Sequence, residues 1–308
     1  MTTKQKGYSA LAVTSIVWGT TWVAVKFGIQ NMPALQLAAI RLFFAGLIFV
    51  LYYLIFRKFS LPPQKQLWQL FILSIFTFVF ANGLSAWSLQ YIPSGLGALI
   101  GALYPLCVVI IEYFFYKSKS LNMLTVIGIG LGIIGVGLVL YENTINVHEK
   151  GFFIGLALSV IATISWSFST IMIAKQKVKI NPYYGLGWQM IFGAILVFIL
   201  SISTNNFIPF AKIPIFSWLM IVYLIIAGSV ITFIAFIYSM KHLNPTIASL
   251  YAYMNPIVAI GIGTFLLNEK ITIQLIIGAI ITLLGVYLVN YSDKANRIKI
   301  EDLEDLEH

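Results

Sequence analysis

The chain has 308 residues, 60% of them hydrophobic, with 19 Lys and Arg, 10 Asp and Glu, and only 9% charged residues in all. A soluble chain carries about 25% charged residues, so a soluble enzyme is excluded; at about 20 apolar residues per crossing, the apolar content fills roughly eight to ten transmembrane helices and leaves little for a water-soluble domain. The formal charge of +9 does not mark a nucleic-acid binder, because the cations stand in short gaps between apolar runs, and the single cysteine, Cys107, excludes an intramolecular disulfide and a Cys-rich metal site.

In chain order, the apolar runs between charges and Pro or Asn breaks place spans at 8–28, 34–56, 67–90, 94–116 and 121–141, then at 150–174, 182–203, 214–240, 245–267 and 271–291. The first follows Lys4 and Lys6 but is too long for the apolar core of a cleaved signal peptide, so it is read as a retained span. Along it Ser15, Trp18, Trp22 and Lys26 recur at helical spacing on one face. Span two holds Arg41, about 10 Å past its outer start at 1.5 Å per residue, with an expected outward snorkel toward Glu269. Span three holds Asn82, a buried amide that needs a partner from a neighbouring helix or from a solute.

Span four carries Tyr104 and Pro105, then Glu112 near its inner end, too far along the axis to pair directly with Arg41. Glu112 is the only acid within a span: either an interfacial carboxylate beside Lys117 and Lys119, or the candidate for proton coupling. In span five Gly128 and Gly132 form a GxxxG pair, read as close helix packing within the subunit or across a homodimer. The overlapping GxGxxG string lacks the preceding strand and water-exposed amides that a dinucleotide loop needs. Span six repeats the stripe of span one with Thr163, Trp166 and Thr170, and span nine carries Tyr251, Asn255 and Pro256.

Pro105 and Pro256 are each the twelfth residue of their span, near the bilayer midplane. A proline there lacks an N–H and crowds the carbonyl four residues back, which frees the carbonyls of Gly101 and Ala252 for a polar cavity. Equivalent breaks in two halves point to a midplane solute site. Aromatic faces with nearby hydroxyls and amides at Trp18, Trp22, Asn82, Tyr104, Trp166, Thr170, Tyr251 and Asn255 suit a ligand with apolar and polar parts, although any one of these rings is equally at home in helix packing. With no midplane charge among them, the expected site is net neutral, and zwitterions or amphipathic neutral molecules fit it better than polyanions.

With the N-terminus inside, 14 cations fall in cytoplasmic segments and 4 on the other side, which puts both termini in the cytoplasm of a cell-membrane protein. The two sets of five spans are alike: Trp18 recurs as Trp166, 148 residues on, and "AWSLQYIPSGLGALIGALYP" recurs as "IYSMKHLNPTIASLYAYMNP" at an offset of 151. Five is odd, so the second copy enters the bilayer from the opposite side. The expected fold is an all-α integral membrane protein of ten transmembrane helices in two inverted five-helix repeats, 1–145 and 146–292, followed by a charged cytoplasmic tail, 293–308.

The "WG" of span one, "AWSLQYIPSG", the mid-span "YP" and "NP", and "LNEKIT" between spans nine and ten resemble the EamA family of the drug/metabolite transporter superfamily over essentially the whole chain. The resemblance implies that spans 1, 3, 4, 6, 8 and 9 enclose a central cavity, with Arg41 on a span outside it. It also implies export or exchange of small metabolites, often amino acids or related compounds. One departure is that the acid common at the end of span four is missing from "YKSKS", although its counterpart Glu269 is present. The expected function is a secondary transporter of a small-molecule substrate in a lipid bilayer, with no cofactor or metal. The other classes weighed are an intramembrane lipid-modifying enzyme, which would need several acids or histidines at one level, and a lipid or ion conduit. No Walker motif is present to couple ATP directly.

Overall fold

The computed structural model describes residues 1–116, 121–146, 151–175, 180–243, 247 and 250–304, and the side chains of all of these except 142–146 and 293–304. The sequence folds into ten long helical segments: α1 (Thr3–Gly28), α2 (Ala34–Phe56), α3 (Gln64–Ser88), α4 (Ser94–Tyr116), α5 (Met123–Asn146), α6 (Phe152–Lys175), α7 (Pro182–Ser203), α8 (Ile215–His242), α9 (Tyr251–Leu267) and α10 (Ile273–Glu304). Among the described residues, nine are long and apolar enough to cross a membrane, and α9 is a shorter apolar helix of 17 residues. Leu, Ile and Phe point outward all around the bundle, the opposite of a water-soluble core arrangement. The chain is thus an all-α, multi-pass membrane protein.

Helix packing repeats between the two halves. The α1 helix lies against α8 and α9, as α6 lies against α3 and α4, while α2 pairs with α7, α4 with α9 and α5 with α10. Exchanging the first five helices with the second five maps these contacts onto one another. The third helix of each half also carries a π-helical stretch at one place, Ile75–Gly83 in α3 and Ile226–Ile231 in α8, whose starts differ by 226 − 75 = 151. Such widened turns leave backbone carbonyls without their usual helical partner and tend to mark functional sites.

One sequence expectation changes here. Pro105 does not kink a continuous helix: α4 breaks at Ala102 and Leu103, and Pro105 lies in the first turn of the piece that resumes at Tyr104, where a missing N–H costs nothing. Pro256, by contrast, sits inside a continuous helix. The start of span nine, placed at 245, falls mostly outside the described residues.

The Gly128 and Gly132 pair is used inside the subunit. A Cβ at Gly128 would stand 2.7 Å from the Gly285 carbonyl of α10, and one at Gly132 2.4 Å from Leu106 of α4. Gly135 faces the same seam, where a Cβ would meet Thr282 Oγ1 at 2.4 Å and the Gly278 carbonyl at 2.6 Å. Gly135→Val is therefore expected to cost about 1–3 kcal/mol through overpacking and to lower the unfolding temperature in detergent. Gly137→Val, at a position with nothing within 4 Å, is expected to leave it unchanged.

Candidate functional site

Two cavities lie in series along the bundle axis. The smaller, about 170 Å³, is walled by α1, α3, α4, α6, α8 and α9 together with Arg41 of α2. The larger, about 660 Å³, runs toward the end of the bundle that carries the N-terminus, between the ends of α3, α4, α6, α7 and α8. Tyr104, Trp166, Phe233 and Tyr251 line both, so a partition one side chain thick separates them.

The partition is an aromatic cluster. Trp18 lies within 5.0–5.3 Å of the Phe233, Phe236 and Tyr251 rings and 6.3 Å from Trp166, mostly edge to face, and Tyr104 stacks on Tyr251 at 5.9 Å. These are the favourable geometries for paired rings. The helix break in α4 faces two hydroxyls of α6: Ser167 Oγ lies 3.0 Å from the Tyr104 carbonyl and Thr163 Oγ1 3.4 Å from the Ile100 carbonyl, each hydroxyl shared with the carbonyl four residues back in α6, at 2.8 and 3.0 Å. Trp22 lies flat on α4, where a Cβ at Gly97 or Gly101 would approach its ring to 3.0 or 3.2 Å.

All eight residues singled out from sequence line one or both cavities. Trp18, Trp22, Asn82 and Asn255 face the smaller, Thr170 the larger, and Tyr104, Trp166 and Tyr251 both. Gly101 and Ala252 also line the smaller cavity, Pro105 and Glu112 the larger, and Pro256 neither. Thr170 is partly engaged, its hydroxyl donating to the Trp166 carbonyl at 2.8 Å. The indole N–H of Trp18 is also taken, by the Gly228 carbonyl at 3.3 Å, which leaves its ring rather than its donor for other contacts. Asn255 Oδ1 is buried without a hydrogen-bond partner. Phe233 was not singled out, yet a signal existed, since 233 − 151 = 82 makes it the counterpart of Asn82.

Arg41 departs most from its expected place. It does not snorkel outward or reach Glu269; it is 6% exposed, and it lines the smaller cavity, so the site is not free of charge. The π-helical stretch of α8 explains the capture. Its Gly228 carbonyl accepts from Arg41 Nη2 at 3.0 Å as well as from Trp18, and Ser229 Oγ accepts from Arg41 Nε at 2.9 Å. The Gly228 carbonyl of that widened turn and the neighbouring Ser229 hydroxyl, close beside α2, hold the guanidinium inside the bundle.

Glu269 instead closes the end of the bundle away from the N-terminus. Asn268 ends α9 in the left-handed region at φ 54°, which turns Glu269 back onto the start of α4. There its carboxylate accepts from Ser94 N–H at 2.7 Å, Ser94 Oγ at 2.9 Å and Gly95 N–H at 3.3 Å, satisfying orphan donors at a helix N-terminus. Gly263 leaves room, since a Cβ there would meet Glu269 Oε2 at 2.7 Å. Beside it, Lys26 Nζ donates to the Leu89 and Ile92 carbonyls at 2.6 and 2.9 Å, tying α1 to the α3–α4 connection. The "LNEKIT" string thus reads as a turn, a latch and, through Thr272 Oγ1 accepting from Leu275 N–H at 3.1 Å, the cap of α10.

The sequence profile of the EamA-like transporter family matches twice, over residues 5–141 and 153–291. The chain belongs to this family. The two matches coincide with the two sets of five helices. As a member of a family of transporters, this EamA-like chain is a membrane transporter rather than an enzyme. It is 27% identical over 267 residues to the inner membrane transporter YedA of Escherichia coli strain K12, covering 86% of this chain and 84% of that one. It is 24% identical to the transporter YoaV of Bacillus subtilis, covering 92% and 96%, and 25% identical to protein PecM of Dickeya dadantii, covering 94% of each. A solved crystal structure superposes with a TM-score of 0.64 at 18% identity, over 93% of this chain and 96% of the other, a likeness of fold.

Proposed function

We propose that this EamA-like protein is a secondary transporter that exports or exchanges small organic metabolites, amino acids or related zwitterionic and aromatic compounds, by alternating access. The halves 1–145 and 146–292 rock against each other, and both termini lie on the cytoplasmic side of the cell membrane, so that the larger cavity is the inward vestibule. The observation that carries this reading is the aromatic partition between two cavities. A continuous conduit would have no such wall, whereas a carrier needs one that yields to a bound solute. Trp18, Trp22, Asn82, Tyr104, Trp166, Thr170, Tyr251 and Asn255 are the solute-facing residues in this reading, and the break before Pro105 and the proline Pro256 within continuous α9 are the points at which the two helices bend. The opposite face of α5, with Gly130, Ile133, Ile134 and Gly137, is the surface left for a homodimer contact.

Glu112 is the proposed proton-coupling residue, as an acid lining the larger cavity. The test is uptake of radiolabelled amino acids into liposomes with and without a pH gradient. The wild type is expected to accumulate at least one of them, with the gradient raising the rate, and Glu112→Gln is expected to remove the gradient's effect but not exchange. No uptake of any amino acid would overturn the substrate class, and a Glu112→Gln protein that kept its pH response would overturn the coupling role.

A further inference from the structure

We propose that Arg41 is the carboxylate anchor of the transported solute, so that the smaller cavity selects monocarboxylates, free amino acids among them, over the corresponding amides and amines. This rests on the transport reading above and deepens it.

A guanidinium carries five N–H donors and no acceptor. Two of the Arg41 donors are used, by Ser229 Oγ and the Gly228 carbonyl, and both of those acceptors are neutral. Among the described residues no carboxylate pairs with it. A charge withdrawn from water without a counter-charge is costly, and that cost is relieved by an anion that enters the same space. The cavity supplies that space. Arg41 lines it with donors left over, and its planar fork matches a carboxylate in a bidentate geometry.

The rest of the wall limits what the anion can be. No second cation stands among the lining residues to balance a polyanion, so the match is to one monovalent group. Asn255 Oδ1, on the same wall, is a buried acceptor without a partner, which suits an ammonium at the other end of a zwitterion. At the 148-residue offset that relates Trp18 to Trp166, the counterpart of Arg41 is Gln189, which lines the larger cavity. The cation is therefore present on one side of the partition only, and a carboxylate bound by Arg41 sits on the far side from the larger cavity.

The experiment is a ligand-dependent thermal shift and titration of the full chain in detergent. The probes are L-phenylalanine, L-phenylalaninamide, phenethylamine and 3-phenylpropionate at millimolar levels. L-Phenylalanine and 3-phenylpropionate are expected to bind at least about tenfold more tightly than the amide and the amine, as loss of a charge-assisted hydrogen-bond pair implies. Arg41→Gln is expected to erase that preference and Arg41→Lys to keep part of it. Equal binding of amine and carboxylate by the wild type overturns the proposal even if Arg41→Gln fails to fold, and so does a folded Arg41→Gln that still prefers carboxylates. If the probes bind without preference but Trp166→Ala abolishes binding, the anchor is wrong and the transport reading stands. If Trp166→Ala changes nothing, or no probe binds, that reading falls and the anchor with it.

Discussion

Trp166→Ala is expected to lower solute uptake by about 10²-fold, the effect of removing an aromatic anchor worth 2–4 kcal/mol at a binding centre, while the protein stays folded. The reason is position. Trp166 is one of four side chains that border both cavities, so its ring is partly free of protein on two sides and its removal opens the partition rather than the core. Trp18 is its counterpart in the repeat, and matched effects for the two are the natural expectation from sequence. The structure separates them. Trp18 contacts four aromatic rings and donates to the Gly228 carbonyl that also holds Arg41. Trp18→Ala is therefore expected to lose transport and in addition about 3–5 kcal/mol of stability, seen as a lower unfolding temperature and poorer monodispersity, whereas Trp166→Ala loses transport alone.

The second large effect is expected at Glu269. Its three hydrogen bonds to the first turn of α4 are charge-assisted and stand at a helix N-terminus. Together with the Lys26 clamp they hold shut the end of the bundle beyond the smaller cavity. Glu269→Ala removes about 1.5–3 kcal/mol from the closed form and shifts the population toward opening at that end by roughly tenfold or more. A cysteine at Ser85, which lines the smaller cavity, reports this in a Cys107→Ala background. An impermeant thiol reagent added from the side opposite the termini is expected to label it faster in Glu269→Ala than with Glu269 in place; unchanged labelling contradicts the latch. By the repeat, the counterpart of Glu269 is Ser118, since 269 − 151 = 118, and 117–120 lie outside the described residues.

The span boundaries were legible because apolar runs and their Pro, Asn and Lys breaks follow directly from bilayer thickness and backbone hydrogen bonding: α2, α4 and α7 begin and end at the expected residues, and the others mostly within a few. The tryptophan stripes of α1 and α6 were legible because helical spacing puts Trp18 with Trp22 and Trp166 with Thr170 on one face each, and the repeat marks Trp18 and Trp166 as a pair. The π-helical stretches were not. "IFTFVFANG" and "IAGSVI" read as ordinary apolar helix, with no local pattern that separates a widened turn from a regular one. Arg41 was misplaced for the same reason: sequence depth alone favours a snorkel to water, and only the carbonyl freed at Gly228 reverses that choice. Glu269 could be found as a conspicuous residue of "LNEKIT", but its partner is 175 positions away and no local pattern names Ser94.

In the proposed cycle a solute crosses by occupying the space at the aromatic partition, one half of the molecule opening as the other closes. Counterflow measures this most directly: initial uptake of radiolabelled L-phenylalanine into liposomes that contain the purified protein, with and without unlabelled L-phenylalanine preloaded inside. Preloading is expected to accelerate entry, because a loaded carrier returns faster than an empty one, and Trp166→Ala is expected to abolish the acceleration. Entry that rises linearly with concentration, is indifferent to preloading and survives Trp166→Ala would contradict that cycle.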